Sequence, residues 1–270
     1  MNRIDARFRA LCALRQKGFI AYICAGDPSL RVTAELVRAF ERVGVDVVEL
    51  GVPFSDPLAD GVVNQLAAER GLRSGTTLRG VLKTVAGLRK DGLQVPIVFY
   101  VYYNLLHHYG LKKFVRDAAT AGVDGVLALD LPPEEASAYE KAMKTAGVHP
   151  IYLVAPTTPA ARVHKIARHA SGFIYYVSRE GVTGMQKSMA PAVTSHVATI
   201  RKHSKLPVAI GFGISNPAQA RIAAQAADAV VVGSAIVNQI AKYCRSRLMV
   251  ARVARFVGAM VKAVKRGRAK

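Results

Sequence analysis

The sequence predicts a closed (β/α)8 barrel, an α/β fold that occupies residues 1–270 as a single domain. Eight short apolar runs alternate with amphipathic helical stretches, the pattern of parallel strands joined by helices. Three of the runs follow a glycine that suits a helix end, namely Gly44, Gly122 and Gly147. No linker-like segment divides the 270 residues, and one barrel domain commonly has about that length. An open, doubly wound sheet would give the same alternation and stays the alternative.

Each element follows from the local pattern. The runs are rich in Val, Ile and Tyr, which is typical of strands buried on both faces; they span 19–24, 47–50, 97–101, 126–129, 151–154, 173–177, 208–211 and 229–232. Helical spacing predicts helices over 31–43, 76–89, 111–121, 133–145, 158–169, 190–203 and 217–224, then a last helical region to residue 262. An extra N-terminal helix at 5–15 is expected to plug the barrel bottom, and extra short helices are expected in loops 2 and 8.

Composition excludes several classes of protein. Gly and Pro, at 22 and 12 residues, are near average usage, which excludes collagen-like and largely disordered chains. No apolar run approaches the roughly 20 residues of a membrane span, and the first residues lack the apolar core of a secretory signal. Three distant cysteines, Cys12, Cys24 and Cys244, form neither a disulfide framework nor a metal cluster. We therefore expect a cytoplasmic protein without a metal.

The charge is unusual, with 38 basic residues against 18 acidic ones and a formal net charge of +20. Such a charge attracts anions. Nine Lys and Arg residues and no acidic residue follow from Arg245 onward, yet apolar residues recur there at helical spacing. This favours a C-terminal helix with a basic outer face and a short disordered basic tail at 265–270. Nucleic-acid binding is the alternative, although no recognised binding motif is present.

Three carboxylates follow the second predicted strand. Glu49 lies near the end of that strand, so it is expected to point into the barrel mouth, where burial would raise its pKa into the range that suits proton transfer. Asp56 and Asp60 come next in the loop, and each would also fit a turn. Because long loops after the strands build the active sites of barrels, we expect the chemistry here.

Glycines at the last three strand ends predict a phosphate site. Gly184 follows the sixth strand, Gly213 the seventh, and Gly233 and Ser234 the eighth, just before a helix. Backbone N–H groups in such turns and at helix N-termini bind phosphate. Ordinary turns are the alternative. Aromatic residues at strand positions would either fill the barrel or face its mouth. In the mouth, Tyr175 would offer a hydrogen-bonding phenol, and a pocket for a flat ligand would be lined by Tyr22, Tyr100, Tyr102 and Phe212.

Several strings resemble one family, the alpha chain of tryptophan synthase. The most diagnostic is ELGVPFSDPLADG at 49–61; others are AGDP at 25–28, YYN at 102–104, DLPPE at 130–134, SREGVTG at 178–184, GFGI at 211–214 and GSAIV at 233–237. The resemblance covers about residues 8–261. It implies a TIM barrel that cleaves indole-3-glycerol phosphate to indole and glyceraldehyde 3-phosphate by a retro-aldol reaction. A stand-alone lyase that releases free indole is the alternative.

The resemblance also assigns roles. It implies that Glu49 shuttles protons, that Asp60 stabilises positive charge at the indole N–H and that Tyr175 stands beside both. It places the indole pocket at Tyr22, Tyr100, Leu127 and Phe212, a lid contact to Asp60 at Thr183, and phosphate at Gly184, Gly213, Gly233 and Ser234. It implies a beta-chain partner in an α2β2 tetramer, with pyridoxal phosphate in that partner and no cofactor in this chain. The interface residues would be Pro53, Asp56, Asn104, Asp130 and Pro132.

The chain departs from the family at several positions. Ala21, Val62 and Leu129 stand where proline is usual, Cys24 replaces a common threonine, and Asn64 replaces a residue that is usually apolar or threonine. Tyr100 stands where leucine is frequent. None of these removes a proposed catalytic group. The strong positive charge is also atypical, and it would favour an acidic surface on the partner.

Overall fold

The computed structural model describes residues 1–177, 191–211 and 213–266. Eight parallel strands form a closed barrel in chain order, and the first strand pairs with the eighth. This confirms the closed (β/α)8 barrel and excludes the open sheet. The strands are β1 (Gly18–Cys24), β2 (Val47–Gly51), β3 (Ile97–Val101), β4 (Gly125–Ala128), β5 (His149–Val154), β6 (Ile174–Val177), β7 (Val208–Gly211) and β8 (Ala229–Val232).

Helices surround the strands, and the first of them closes the bottom of the barrel. They are α1 (Arg3–Ala13), α2 (Leu30–Arg42), α3 (Val62–Arg73), α4 (Leu78–Lys90), α5 (Tyr103–Tyr109), α6 (Leu111–Ala121), α7 (Ser137–Ala146), α8 (Ala160–His169), α9 (Pro191–His203), α10 (Pro217–Ala226), α11 (Ser234–Tyr243) and α12 (Met249–Arg266). No helix of the described ranges is long and apolar enough to cross a membrane.

Most predicted bounds agree with the structure, and the differences have local causes. The seventh helix begins at Ser137, not at 133, because residues 133–135 form a turn in which the Ala136 N–H bonds to the Pro133 carbonyl at 3.3 Å. Helix α4 begins at Leu78, not at 76, because the Thr77 hydroxyl caps it by accepting from the Gly80 N–H. Helices α3 and α11 lie in loops 2 and 8 as expected, whereas α5 after β3 was not predicted.

The N-terminal helix closes the bottom of the barrel, as predicted. Ile4, Phe8 and Leu11 lie on its buried face and pack into the barrel interior. Their partners are the inward side chains of the strands, including Val47, Val98, Leu127, Ile151 and Phe173. Because the bottom is filled in this way, the open end of the barrel lies at the carboxyl ends of the strands.

Three aspartates repeat one structural role at the barrel bottom. Asp46, Asp124 and Asp228 each stand directly before a strand. Each accepts a hydrogen bond from a backbone N–H near the start of the strand that comes one earlier in the sequence and pairs with it in the barrel. The distances are 2.7 Å to Phe19 N, 2.8 Å to Ile97 N and 2.9 Å to Val208 N respectively. These carboxylates satisfy backbone donors that the sheet leaves unpaired.

The C-terminal helix packs its apolar face on the barrel and carries the expected basic outer face. Met249, Val253 and Val257 are buried, whereas Arg252 and Arg255 are exposed. The predicted tail at 265–270 needs a correction, because α12 continues through Arg266 and Lys265 pairs with Asp46 at 3.0 Å. Residues 267–270 lie outside the described ranges.

Candidate active site

A cavity of about 870 Å³ opens at the carboxyl ends of the strands. Its walls come from the ends of all eight strands and from the loop after β2. The residues that line it include Tyr22, Glu49, Asp60, Asn64, Tyr100, Leu129, Leu153, Tyr175, Gly213, Ile214, Gly233 and Ser234. The cavity therefore brings together residues that the sequence places up to 212 positions apart, Tyr22 and Ser234.

Glu49 points into this cavity because side chains alternate along β2. Val48 and Leu50 pack outward under the helices, which turns Val47 and Glu49 inward. Glu49 is 1% exposed, and its Oε1 has no hydrogen-bond partner among the described residues. Burial, with a smaller contribution from the charge of Asp60, raises the pKa of Glu49 to about 8. At neutral pH this carboxyl is mostly protonated.

Asp60 faces the cavity from the loop after β2 and is held by two phenols. The Tyr100 hydroxyl donates to Oδ1 at 3.0 Å, and the Tyr102 hydroxyl donates to Oδ2 at 2.9 Å. Asn64 lies farther away, with its amide nitrogen 3.4 Å from Oδ1. Burial raises the pKa of Asp60, and the hydrogen bonds from the two tyrosines and Asn64 oppose that rise. The two carboxyl groups of the site thus differ, since Glu49 has an oxygen without a partner in the described parts of the chain, whereas both oxygens of Asp60 are hydrogen-bonded.

Tyr102 also fixes the loop that carries Asp60. Its hydroxyl oxygen accepts from the Ala59 N–H at 2.9 Å, and its ring lies 5.2 Å from the ring of Phe54. Sequence reasoning treated Tyr102 only as a pocket aromatic and missed this role. A signal was present, because Tyr100 and Tyr102 are two residues apart and therefore on the same side of an extended chain.

Tyr175 and Tyr22 stand on opposite sides of the cavity, and each depends on a neighbouring glycine. An ideal Cβ on Gly211 would lie 2.8 Å from Cζ of Tyr175, and one on Gly51 would lie 2.9 Å from Cζ of Tyr22. Burial, followed by the nearby Glu49, raises the pKa of Tyr175 well above its usual range. The Tyr175 phenol therefore stays protonated. Tyr22 meets Tyr100 edge to face, with ring centroids 5.1 Å apart.

The predicted phosphate residues Gly213, Gly233 and Ser234 all line the same cavity. Helix α11 begins at Ser234, so its first N–H groups have no acceptor within the helix and are available to an anion. A Cβ on Gly213 would meet nothing within 4 Å, whereas one on Gly233 would lie 3.2 Å from Tyr22 Cδ1. Gly213 thus leaves open space, and Gly233 makes room for Tyr22.

Comparison with known proteins identifies the family. The model of the tryptophan synthase alpha chain family matches residues 8–265. A tryptophan synthase alpha chain from Opitutus terrae is 51% identical over 267 residues, which cover 98% of this chain and 100% of that protein. The chain belongs to the tryptophan synthase alpha chain family. This confirms the expected family and its class of enzyme, a lyase.

Other tryptophan synthase alpha chains agree in sequence and in fold. The protein from Geotalea daltonii is 48% identical over 92% of this chain and 94% of its own length. The crystal structure of tryptophan synthase subunit alpha from Legionella pneumophila superposes with a TM-score of 0.91 at 37% identity, over 98% of this chain and 99% of that one. These likenesses extend over nearly the whole chain, so they include the cavity as well as the barrel.

Not every residue expected to line the pocket of this alpha-chain family member does so. Leu127 points into the barrel but is 1% exposed and packs with the residues around α1, one layer below the cavity. Leu129, two residues further along the same face, lines the cavity instead. Thr183, Gly184 and Phe212 lie outside the described residues. Among the described residues no group of three or more His, Cys, Asp or Glu side chains could hold a metal ion.

The residues expected at an alpha–beta interface lie in the segments that follow β2, β3 and β4. Asp56, Asn104, Asp130 and Pro132 are exposed. Asp130 accepts from the Tyr103 N–H at 2.6 Å and so begins helix α5. Pro53 is buried, because its ring packs against α3 beside Gly71. Pro53 can therefore shape this loop, but it does not present a free surface.

Proposed function

We propose that this chain cleaves indole-3-glycerol phosphate to indole and glyceraldehyde 3-phosphate, as the alpha subunit of a tryptophan synthase. The observation that carries the proposal is the pair of unlike carboxyl groups in one cavity. Glu49 is buried and protonated, with an oxygen that has no partner among the described residues, whereas Asp60 is held by two tyrosines. Carboxyl groups in different environments can divide the acid and base roles of one reaction.

Glu49 carries both proton transfers. Protonated Glu49 first donates its proton to C3 of the indole ring, and the ring nitrogen becomes a cationic iminium. The resulting carboxylate then removes the proton of the hydroxyl on the adjacent side-chain carbon. As the bond from that carbon to C3 breaks, its electron pair returns to the ring, so indole and an aldehyde form. Glu49 ends protonated, as it began, and the cycle consumes no proton.

Asp60 stabilises the positive charge that the ring nitrogen carries between these two steps. An ionised carboxylate that is already oriented needs no reorganisation when the charge develops. The phenols of Tyr100 and Tyr102 supply this orientation through one hydrogen bond to each oxygen. Tyr175 is protonated and lines the same cavity, and it is proposed to donate to the Glu49 carboxylate once its proton has left.

The remaining lining residues bind the rest of the substrate. Tyr22, Tyr100 and Leu129 offer an apolar wall to the indole ring, and Phe212 is proposed to join them. The phosphate is placed at Gly213, Gly233 and Ser234, at the N-terminus of α11. Gly184 and Thr183 are proposed to complete the phosphate site and the lid. No group in this scheme requires a cofactor on this chain.

We further propose that the chain acts in the cytoplasm within an α2β2 complex, in which the beta chain holds pyridoxal phosphate and joins indole to serine. Free Cys12, Cys24 and Cys244 fit a reducing compartment. The exposed Asp56, Asn104, Asp130 and Pro132 would contact the beta chain at the rim. A net charge of +20 favours an acidic beta surface, so added salt should weaken the complex.

The test measures release of glyceraldehyde 3-phosphate from indole-3-glycerol phosphate by the purified chain, alone and with a tryptophan synthase beta chain. We expect slow turnover that rises sharply with the beta chain, and a loss of about 10²–10⁴-fold or more in Glu49→Gln, which keeps the shape of the protonated side chain. Fast turnover that ignores the beta chain would indicate the stand-alone lyase. Absence of turnover in both cases would overturn the enzymatic proposal.

A further inference from the structure

A second cavity, of about 570 Å³, lies at the end of the barrel opposite the candidate active site. Lys17, Pro207 and Asp228 line it, and each directly precedes the start of a strand, β1, β7 or β8. The last turn of α1 forms another wall through Leu11 and Cys12. The cavity is therefore separate from the catalytic carboxyl groups, which stand at the other end of the strands.

Positive charge dominates the lining of this bottom cavity. Arg15, Lys17, Arg201 and Lys205 contribute cations, and Asp228 contributes the one carboxylate among the described lining residues. Asp228 is already engaged, since one oxygen accepts from the Val208 N–H at 2.9 Å and the other from Arg201 at 3.0 Å. Asp228 therefore already compensates the β7 backbone N–H and Arg201. Arg15, Lys17 and Lys205 remain as an excess of positive charge in the lining.

Lys17 is the least exposed of these cations, and it is only weakly paired. Its side chain is 15% exposed, and its amine reaches Asp228 only at 4.0 Å, beyond hydrogen-bonding distance. Burial lowers the pKa of Lys17, and Asp228 opposes this only in part. Arg15 and Lys205 are exposed at the rim and have no carboxylate within ion-pair distance in the described parts of the chain. A half-buried ammonium whose neighbouring carboxylate is shared with Arg201 and the β7 backbone would gain from an anion.

Part of the lining of the bottom cavity is apolar. Phe8 and Leu11 of α1 contribute to this apolar wall, together with Leu206 and Pro207 of the segment before β7. Phe8 is 8% exposed and its ring centroid is 5.8 Å from that of Phe173 in the barrel interior, so this wall is anchored to the core. An apolar wall beside convergent cations is the combination that binds organic anions, because the wall takes the hydrocarbon and the cations take the charge.

We propose that the bottom cavity is a binding site for a small organic carboxylate with a flat apolar body. The carboxylate pairs with Lys17, Arg15 and Lys205, and the apolar body lies against Phe8, Leu11 and Leu206. Inorganic phosphate, which has the charge without the hydrocarbon, binds more weakly. The site is independent of the catalytic cavity, so it does not rest on the proposed function.

Cys12 provides a local reporter, since it lines the bottom cavity and is exposed, whereas Cys24 is buried. In the full-length Cys244→Ser variant, the rate of Cys12 alkylation by N-ethylmaleimide is measured against increasing 2-naphthoate at constant ionic strength. We expect a saturable fall in rate of about fivefold, because the bound anion blocks access to the thiol. A Cys12→Ser variant, in which Cys244 reports, should show no such fall.

Three comparisons make the result specific. Lys17→Met with Lys205→Gln should abolish the protection, while Lys202→Gln, an exposed neighbour outside the lining, should keep it. Circular dichroism confirms that each variant is folded. Protection that persists in Lys17→Met/Lys205→Gln, or that 2-naphthylmethanol matches, would overturn the role of the cations. Equal protection by inorganic phosphate would overturn the role of the apolar wall, and no protection at all would overturn the site.

Discussion

The phenol of Tyr100 donates a hydrogen bond of 3.0 Å to Oδ1 of Asp60, a carboxylate forty positions earlier in the chain. Tyr102 donates to the other oxygen from two residues further on. Leucine, which is frequent in the family at the position of Tyr100, has no donor to offer. In this chain Asp60 is therefore held by two phenols, and its orientation depends on Tyr100 and Tyr102 at the carboxyl end of β3.

Replacing Tyr100 with Phe should weaken catalysis without unfolding the protein. The ring stays in contact with Tyr22, but Asp60 keeps only one phenol donor and its pKa rises further. A hydrogen bond to a charged group contributes about 1.5–3 kcal/mol, so we expect kcat/KM to fall by roughly 10–150-fold. The measurement is the pH dependence of glyceraldehyde 3-phosphate release, whose low-pH limb should move to higher pH.

The matched control for that variant is Tyr109→Phe. The Tyr109 hydroxyl donates to Asp117 at 2.8 Å, so it has the same chemistry on the outer surface of the barrel. This variant should retain the activity and the pH profile of the parent. If the two variants behave alike, the hydrogen bond from Tyr100 does not prepare Asp60 for catalysis.

The rate should also decline on the alkaline side. Glu49 must hold a proton at the start of the proposed cycle, and its pKa is about 8, so kcat/KM should fall as the pH rises through that value. On the acidic side the rate should fall where Asp60 becomes protonated, at a pH above the usual range for aspartate because burial raises its pKa. Steady-state rates across the pH range test both limbs, and a rate that increases through pH 8 would show that Glu49 begins ionised.

Burial of Glu49 should also make stability depend on pH. In the unfolded chain this carboxyl loses its proton near its ordinary pKa of 4.5, and in the folded protein near 8. Between these values the folded state binds the extra proton, so the free energy of unfolding falls as the pH rises, by up to on the order of 5 kcal/mol. Glu49→Gln removes this loss.

Urea unfolding of the parent and of Glu49→Gln at several pH values measures the effect. The variant should gain stability relative to the parent progressively from pH 4.5 to 8, and the difference should then level off. A difference that stays constant over this window would mean that Glu49 titrates normally in the folded protein.

The sequence was sufficient for the barrel and for the direction of Glu49. Eight alternating runs predicted the strands, and alternation along β2 predicted that Glu49 faces inward. The sequence did not predict how deep in the barrel each inward side chain lies. Leu127 and Leu129 share the inward face of β4, and the stagger of strands in the closed barrel decides which of them reaches the cavity.

Contacts made by loops were the other part that the sequence left open. Asp60 meets Tyr102 across 42 positions, and no local pattern specifies where the loop after β2 folds back. Pro53 was expected at the beta-chain interface because of the family resemblance, but packing beside Gly71 of α3 buries it. This result depends on α3, a helix whose presence was predicted but whose orientation was not.

Two neighbouring glycines should respond differently to alanine. At Gly213 a Cβ meets nothing within 4 Å, so Gly213→Ala should fold normally but intrude on the proposed phosphate site. We expect KM to rise about tenfold, equivalent to about 1.4 kcal/mol, with kcat little changed. Initial rates against substrate concentration measure both constants.

Gly211→Ala serves as the contrasting variant. Its Cβ would lie 2.8 Å from Cζ of Tyr175, so the ring must move. We expect kcat to fall and the free energy of unfolding to decrease by roughly 1–3 kcal/mol, because the new atom overfills the barrel. An unchanged KM in Gly213→Ala would remove Gly213 from the phosphate site, whatever the result at Gly211.

Asp46→Asn should destabilise the barrel from the end opposite the active site. Asp46 is 1% exposed; one oxygen accepts from the Phe19 N–H at 2.7 Å, and the other accepts from Arg7 Nε at 2.7 Å and from Lys265 at 3.0 Å. An amide must turn its NH₂ group either to the backbone N–H or to the two cations. We expect a loss of roughly 3 kcal/mol in the free energy of unfolding.

The control is Asp91→Asn, which removes an exposed ion pair with Arg38 and should cost at most about 1 kcal/mol. Lys265→Met closes a double-mutant cycle with Asp46→Asn. A coupling of about 1 kcal/mol in that cycle, measured by urea unfolding, would show that Asp46 joins α12 to β1. Additive losses would mean that Lys265 merely lies near Asp46, and that the stabilisation comes from Arg7 and the Phe19 N–H alone.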